Sequence, residues 1–279
     1  MATRLSDTKR RPSISAVLPA YNEEANVEGA VLDVAEVLKT LTDDFEVVVT
    51  NDGSRDRTGE VLERVAVEHP EVHLRVVTHP RNLGYGAALA SGFGAARMDL
   101  IFFTDGDKQF DVRELAKLLA ALDDWTDLAV GWRERRADPP VRLLNAWLWK
   151  QAVNAIFGYT ARDVDCAFKL FRREVWESFG VRSRGATFSA EFLIKARRLG
   201  FRIREVPVSH YPRQAGSPTG AKPKVIVRAL RDLILLRRNL DRELASDSRE
   251  ILRRRDRPAR PIKVWSGSPA TSWPSEERP

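Results

Sequence analysis

Asp105 and Asp107 stand one residue apart in Thr104-Asp105-Gly106-Asp107, directly after the apolar run Leu100-Ile101-Phe102-Phe103. Carboxylates that close repel each other unless a cation sits beside them. Hard divalent ions such as Mg²⁺ or Mn²⁺ bind through one or two carboxylates plus the phosphates of a substrate. Gln109 is near enough to add a carbonyl ligand. The plain alternative is a solvated Asp-Gly turn, which is common. Two further polar clusters share this placement. Ile14-Ser15-Ala16-Val17-Leu18 leads into Pro19-Ala20-Tyr21-Asn22-Glu23-Glu24, and Phe45 to Thr50 leads into Asn51-Asp52-Gly53-Ser54. Asp52 could accept hydrogen bonds from a base or a ribose. Tyr21 could lie against a base, with Glu23 at its polar edge. Each cluster also has a structural reading: a turn at 51–54, and at Asn22 a helix cap with acids in the first turn. Taken together, in order after three apolar runs, they point to a metal-bridged, phosphorylated ligand.

The runs themselves must hold these groups. Short apolar stretches bounded by turn residues read as buried parallel strands. In open α/β sheets, ligands bind beyond the carboxyl ends of such strands. Helical spacing follows over Glu24–Leu41, Asp56–Glu68, Tyr85–Ala96 and Val112–Leu122, with strands at Val72–Thr78 and Leu128–Gly131. This alternation predicts a Rossmann-like, mostly parallel α/β sheet flanked by helices. Beyond Gly131 come a charged loop, a Trp-containing helix over Arg142–Gly158, a strand at Ala167–Phe171, a helix at Ser189–Leu199 and a strand at Ile203–His210. The expected organisation is a flexible lead (1–12), a catalytic domain (13–220), an amphipathic helix (221–245) and a polar, disordered tail (246–279).

The chain has 279 residues, 43% of them hydrophobic, a net charge of +7 and a single cysteine, Cys166. One cysteine excludes an internal disulfide and fits a reducing cytosol. Residues 1–12 do not read as a secretory signal. No stretch approaches the roughly 20 apolar residues of a membrane-spanning helix. A cytoplasmic protein, soluble or peripheral on the inner face of the membrane, is the expectation. The basic balance favours anionic partners, but no nucleic-acid motif is present and no nucleic acid is expected. Asn82-Leu83-Gly84-Tyr85-Gly86-Ala87-Ala88-Leu89 lacks the third glycine of a dinucleotide fingerprint, and that reading is rejected. His69, His73 and His79 read as surface residues without zinc spacing.

The segments VLPAYNEEANV, VVVTNDGSRDRTGEV, NLGYGAALASGFGAA and FFTDGDKQFD closely resemble the family 2 glycosyltransferases of the GT-A fold, in particular the polyprenyl-phosphate (dolichyl-phosphate) sugar synthases. The resemblance spans about Ile14 to Arg213. It implies a nucleotide-sugar donor (a GDP- or UDP-sugar), a divalent metal (Mg²⁺ or Mn²⁺), inversion at the sugar carbon and a polyprenyl phosphate acceptor. It also implies that Pro19, Tyr21, Glu23 and Asp52 hold the nucleoside, and that Asp105, Asp107 and Gln109 serve the metal and diphosphate. Gly106 stands where alanine is usual in the family. A soluble hydroxyl acceptor, or an inactive nucleotide-sugar-binding partner of a membrane complex, are the alternatives.

Arginine suits bidentate phosphate binding. The resemblance implies that Arg133 and Arg142 hold the acceptor phosphate and the departing diphosphate. Asp165 could orient the acceptor, act as base or contact the metal. Lys169 could pair with a phosphate or with Asp165. Glu191 falls where related synthases place an acid near the acceptor, or else is a carboxylate of a helix start. Arg213, with the turn-rich 214–220 stretch, could form a phosphate-binding lid. That stretch departs from the basic loop of the lipid-phosphate synthases. Two segments, Arg142–Gly158 and Val225–Leu240, pair apolar residues with basic ones, and peripheral membrane contact follows if those faces stay exposed.

Overall fold

In the computed structural model, residues 11–135, 140–185, 187–212 and 229–244 are described. Residues 1–10 of the expected lead, the expected lid with Arg213 and the expected tail therefore lie outside the described residues. The first half runs β1 (Ile14–Ala20), α1 (Val27–Leu41), β2 (Phe45–Asn51), α2 (Thr58–Glu68), β3 (Leu74–Thr78), α3 (Tyr85–Ala95), β4 (Leu100–Thr104) and α4 (Leu115–Ala121). The second half runs β5 (Leu128–Arg133), α5 (Pro140–Phe157), β6 (Phe168–Arg172), α6 (Arg173–Glu177), α7 (Phe188–Arg198) and β7 (Ile203–Val208). A last helix, α8, covers 229–244.

The seven strands form one sheet in the order β3-β2-β1-β4-β6-β5-β7. β1 pairs parallel with both β2 and β4. β6 is the single antiparallel member, between β4 and β5. The chain steps outward from β1 to β2 to β3, then returns through α3 to place β4 on the other side of β1. Right-handed crossovers therefore put α1 and α2 on one face and α3 on the other. α1 and α2 touch each other, while α3 lies along β1 and β2. The order reverses between β1 and β4, so a crevice opens beyond their carboxyl ends. Pro19 to Glu23 and Asp105 to Asp107 leave the sheet at that point.

Strands β1, β2 and β4 are buried almost throughout, as largely apolar runs require; the polar Ser15 and Glu46 among them meet each other at 2.7 Å. Gly92 lets α3 approach: a Cβ there would stand 2.4 Å from Val17 Cγ1. One residue on, Phe93 contacts Phe103, Phe171, Trp176, Phe188 and Phe192, with centroids 5.2 to 6.4 Å apart. That cluster ties α3 to β4, β6 and α7. Truncating so central a ring costs about 3–5 kcal/mol.

Differences from expectation are local. β3 starts at Leu74 because Pro70–Val72 form a 3₁₀ turn and His73 takes a left-handed φ of 51°. α1 starts at Val27, not at the expected Glu24, and its cap position is Asn26 rather than Asn22. Asn22 is left-handed too, with φ 55°. Instead of capping the helix, its Oδ1 accepts from Arg55 N at 2.8 Å. The short helix α6 was not anticipated; five residues carry too little periodicity to read. α8 packs through Ala229, Leu233, Leu236 and Leu240, and leaves Leu230, Ile234 and Leu235 exposed.

Candidate active site

The loops after β1 and β2 are stitched together before any ligand arrives. Asn22 N donates to Ser54 Oγ at 3.0 Å and Glu23 N to Thr58 Oγ1 at 2.9 Å. Glu23 Oε2 accepts from Asn26 Nδ2 at 2.7 Å. The Tyr21 ring remains 38% exposed beside this scaffold. Pro19, half-buried, is the last residue but one of β1.

Asp52 is only 2% exposed. Its carboxylate accepts from Leu83 N at 2.8 Å and Gly84 N at 2.9 Å, and meets His79 Nδ1 at 2.7 Å. His79 Nε2 lies 2.8 Å from Ser91 Oγ. His79 is thus a buried bridge rather than a surface residue, a correction that follows from the loop folding back over β2. Asp52 spends its oxygens on the turn that starts α3. Gly84 permits that turn: its φ is 103°, and a Cβ would stand 2.6 Å from Arg184 O.

The next residue, Tyr85, was not among the expected site residues. Its hydroxyl donates to Asp105 Oδ1 at 3.0 Å. Loss of solvent, then the charges of Asp105, Asp107 and Asp165, push its pKa well above the phenol range, so it stays a donor. Its position just past a Gly turn at a helix start was the available signal. The reach to β4 was not visible, because it depends on α3 lying across β1.

Asp107 is buried and its Oδ1 accepts from Gln109 N at 3.2 Å. A Cβ on Gly106 would meet Pro19 O at 3.7 Å, an ordinary contact. Glycine or alanine fits there equally. Gln109 Nε2 donates to Tyr211 O at 3.1 Å, and Tyr211 N donates to Gln109 O at 2.8 Å. These bonds fasten the exit of β7 to the loop after β4. Among the described residues, no three His, Cys, Asp or Glu side chains converge as a cation cage. The donor set, two carboxylates at one strand end, fits a hard ion completed by ligand phosphates.

On the other side of β4 the candidates are arranged differently. Arg133 is clamped by Asp163, Nε to Oδ2 at 2.7 Å and Nη2 to Oδ1 at 2.8 Å. Burial works against its charge, but the Asp163 bonds outweigh that and raise its pKa. Lys169 is fully buried, with Nζ donating to Cys166 O and to Val164 O. Desolvation lowers its pKa. Cys166 is buried as well, and burial followed by the Asp163 charge pushes its thiol up to about 12. Glu191 is 2% exposed and pairs with Lys195 at 2.7 Å. It also accepts from Arg182 N and Ser183 N, both at 2.9 Å. Lys195 in turn meets Glu243 of α8 at 2.6 Å. Glu191 is therefore a buried brace for the 182–184 turn, neither an acid facing the acceptor nor a simple helix-start carboxylate. Desolvation opposes its charge, yet Lys195 and the amides hold its pKa below the usual value.

Asp165 differs from these. It lines a crevice and stays exposed to solvent. Desolvation and then the Asp163 charge raise its pKa to about 6. Trp149 Nε1 donates to its Oδ1 at 3.2 Å. The crevice encloses about 280 Å³ between β5, α5 and the 162–165 segment. Arg142 lies on α5, its side chain outside what is described.

A family description of glycosyl transferase family 2 matches residues 15–180. The chain belongs to glycosyl transferase family 2. The glycosyltransferase AglD of Haloferax volcanii is 34% identical over 223 residues, covering 74% of this chain and 35% of AglD. An undecaprenyl-phosphate 4-deoxy-4-formamido-L-arabinose transferase of Yersinia enterocolitica is 27% identical, covering 80% of this chain and 67% of its own length. The chain thus spans about a third of the first relative and two thirds of the second. Among solved family 2 folds, glucosyl-3-phosphoglycerate synthase of Mycobacterium tuberculosis superposes with a TM-score of 0.62 at 25% identity, covering 81% of this chain and 80% of that one. That structure holds Mn²⁺, UDP-glucose and glycerol 3-phosphate. The expected GT-A architecture and glycosyltransferase family are borne out.

Proposed function

We propose that the protein is an inverting, metal-dependent glycosyltransferase that moves a sugar from a nucleotide sugar to polyprenyl phosphate. The observation that carries this reading is the paired carboxylates Asp105 and Asp107 at the β1/β4 switch point. Tyr21 and Glu23 stand on the adjacent strand end to receive the nucleoside. Asp52 supports that side by holding the 83–84 turn. Asp105 and Asp107 would hold Mg²⁺ or Mn²⁺, which when bound offsets negative charge on the leaving nucleoside diphosphate. The acceptor attacks in line, opposite the leaving group. A phosphate acceptor is already anionic at neutral pH and needs no general base.

The relatives support the acceptor class, since the Yersinia enzyme is named for transfer to undecaprenyl phosphate. No helix among the described residues is long and apolar enough to cross a membrane. α5, however, leaves Val141, Leu144, Trp147 and Leu148 exposed along one side. A face of that kind suits peripheral contact with a bilayer carrying the acceptor.

Asp165 favours a second reading. A carboxylic acid with a pKa near 6 in a crevice is matched to general-base work at neutral pH. A hydroxyl acceptor would require such a base.

The test is a release assay with a panel of UDP- and GDP-sugars, Mn²⁺ or Mg²⁺, and vesicles with or without a polyprenyl phosphate. Release of nucleoside diphosphate only with the lipid phosphate is expected. Release with no donor under any condition would sink the enzyme assignment, and release dependent on a soluble hydroxyl compound would select the second reading.

A further inference from the structure

Arg133 was, with Arg142, an arginine that family resemblance put on the acceptor phosphate and the departing diphosphate, yet the Nε and Nη2 edge of its guanidinium is taken by Asp163. Two other cations line the same crevice: Lys150 from α5, and Arg162 just before Asp163. Among the described residues, neither side chain has a hydrogen bond or an ion pair. Arg162 is held otherwise: its Cζ lies 3.6 Å from the centroid of the Trp132 ring. A guanidinium held over a ring is fixed in place without spending N–H donors, which remain for an anion. Counting Arg133, Lys150 and Arg162 against Asp163 and Asp165, the crevice carries three positive and two negative side chains.

The rest of the lining is apolar. Leu143, Ala146, Trp147, Trp149 and Trp132 form walls. Trp147 continues onto the exposed side of α5 with Leu144 and Leu148. At about 280 Å³ the space falls short of a nucleotide sugar but suits a phosphate head and its first carbons. Asp165 lines the same crevice beside Asp163 and Val164.

We propose that Arg162 and Lys150 bind the anionic head of an amphiphilic phosphate whose hydrocarbon chain leaves past Trp147 along α5. The inference rests on the acceptor reading given above and names the residues that would serve it. It moves the phosphate contact from the clamped Arg133 to two cations with spare donors. Arg133 and Asp163 become the neutral wall that positions the 162–165 segment.

The test uses the full chain with farnesyl monophosphate, farnesol and inorganic phosphate as probes, read by calorimetry and by quenching of tryptophan fluorescence. Farnesyl phosphate should bind the wild type more tightly than either other probe. Arg162→Ala should weaken it on the order of tenfold, as loss of a charge-assisted contact does. Lys150→Ala should weaken it about threefold, being a single point charge. Arg162→Lys should fall between, and UDP affinity should stay within about twofold in all variants. Both residues lie at the surface, and thermal melts of the variants check that they fold. Farnesyl phosphate binding that survives in the double variant overturns the inference, as does failure of both phosphates to bind the wild type. Equal affinity for inorganic and farnesyl phosphate, both lost in the double variant, retains the anion site and sinks the lipid acceptor instead.

Discussion

The two halves of the sheet treat their charged residues in opposite ways. Around β1, β2 and β4, the acidic candidates Glu23, Asp105 and Asp107 sit in loops just past strand ends, where the topology opens a crevice. Around β5, β6 and α7, Arg133, Lys169 and Glu191 are drawn inward and matched with Asp163, carbonyl oxygens and Lys195. The difference follows from solvation. Glu23 and Asp105, half-buried at their strand ends, keep part of their water until a ligand displaces it, whereas a buried charge, Asp107 with its Gln109 amide included, must find a partner or give up its ionisation. Residue type alone does not separate these cases. Asp52 shows the same rule from within the first half, buried and therefore engaged by two amides.

The sharpest way to break the comparison is Asp107→Ala. If the strand-end acids do the chemistry, transfer should fall by about a thousandfold or more, the loss expected when a metal's charge stabilisation disappears. Mn²⁺ binding by calorimetry should vanish with it while the thermal midpoint stays near that of the wild type. Turnover near the wild-type rate would remove the metal assignment.

Glu191→Gln should do the reverse. A buried pair broken on one side costs about 3 kcal/mol or more. Lys195 keeps Glu243, which puts the loss at the low end of that range. Urea unfolding reads it directly. The pH dependence carries the sign: the pKa of Glu191 is lowered by folding, so its contribution is present above the unfolded value of about 4.3 and disappears as pH falls through the folded one. The variant should lack that acid-limb loss. At a temperature where it remains folded, kcat should match the wild type; a lost kcat would return Glu191 to the catalytic side.

Why the first half was legible follows from the same residues. Its strands are largely apolar runs and its polar clusters follow them immediately, so order along the chain already places Tyr21, Asp52 and Asp105 at one edge. The second half contains a strand that runs backwards, β6, and its neighbours β4 and β5 are far from it in sequence. The Arg133–Asp163 clamp spans 30 residues and the Lys195–Glu243 contact spans 48. Such partners are fixed by tertiary packing, which no local period encodes. Arg162 escaped notice for the same reason, since only the fold puts it on Trp132.

Asp165→Asn tests the candidate acid of the second half that, unlike Glu191, stays open to solvent. If a hydroxyl acceptor is used, loss of the base should cost about a hundredfold. The wild-type rate should then fall as pH drops through about 6, and that limb should be absent in the variant. If the acceptor is a phosphate, the variant should lose little. A limb near pH 6 would then persist, because the second ionisation of a phosphate monoester also lies at about 6. The variant thus separates two titrations that coincide in the wild type.

Tyr85→Phe should have the smallest effect and links the halves most directly. The phenol donates to Oδ1 of Asp105, which fixes the carboxylate. Partners that orient a metal ligand typically contribute about ten- to a hundredfold in metal affinity. The lower end is expected here, because Asp107 keeps its own bond to the Gln109 amide. The measurement is Mn²⁺ affinity by electron paramagnetic resonance in the absence of substrate, which turnover cannot confuse. A weaker Mn²⁺ complex with kcat restored at saturating metal would make Tyr85 a positioning residue for Asp105. Unchanged affinity with a fall in kcat would place the phenol against the substrate instead. It would then belong with Asp165, the group whose charge reaches it from across β4.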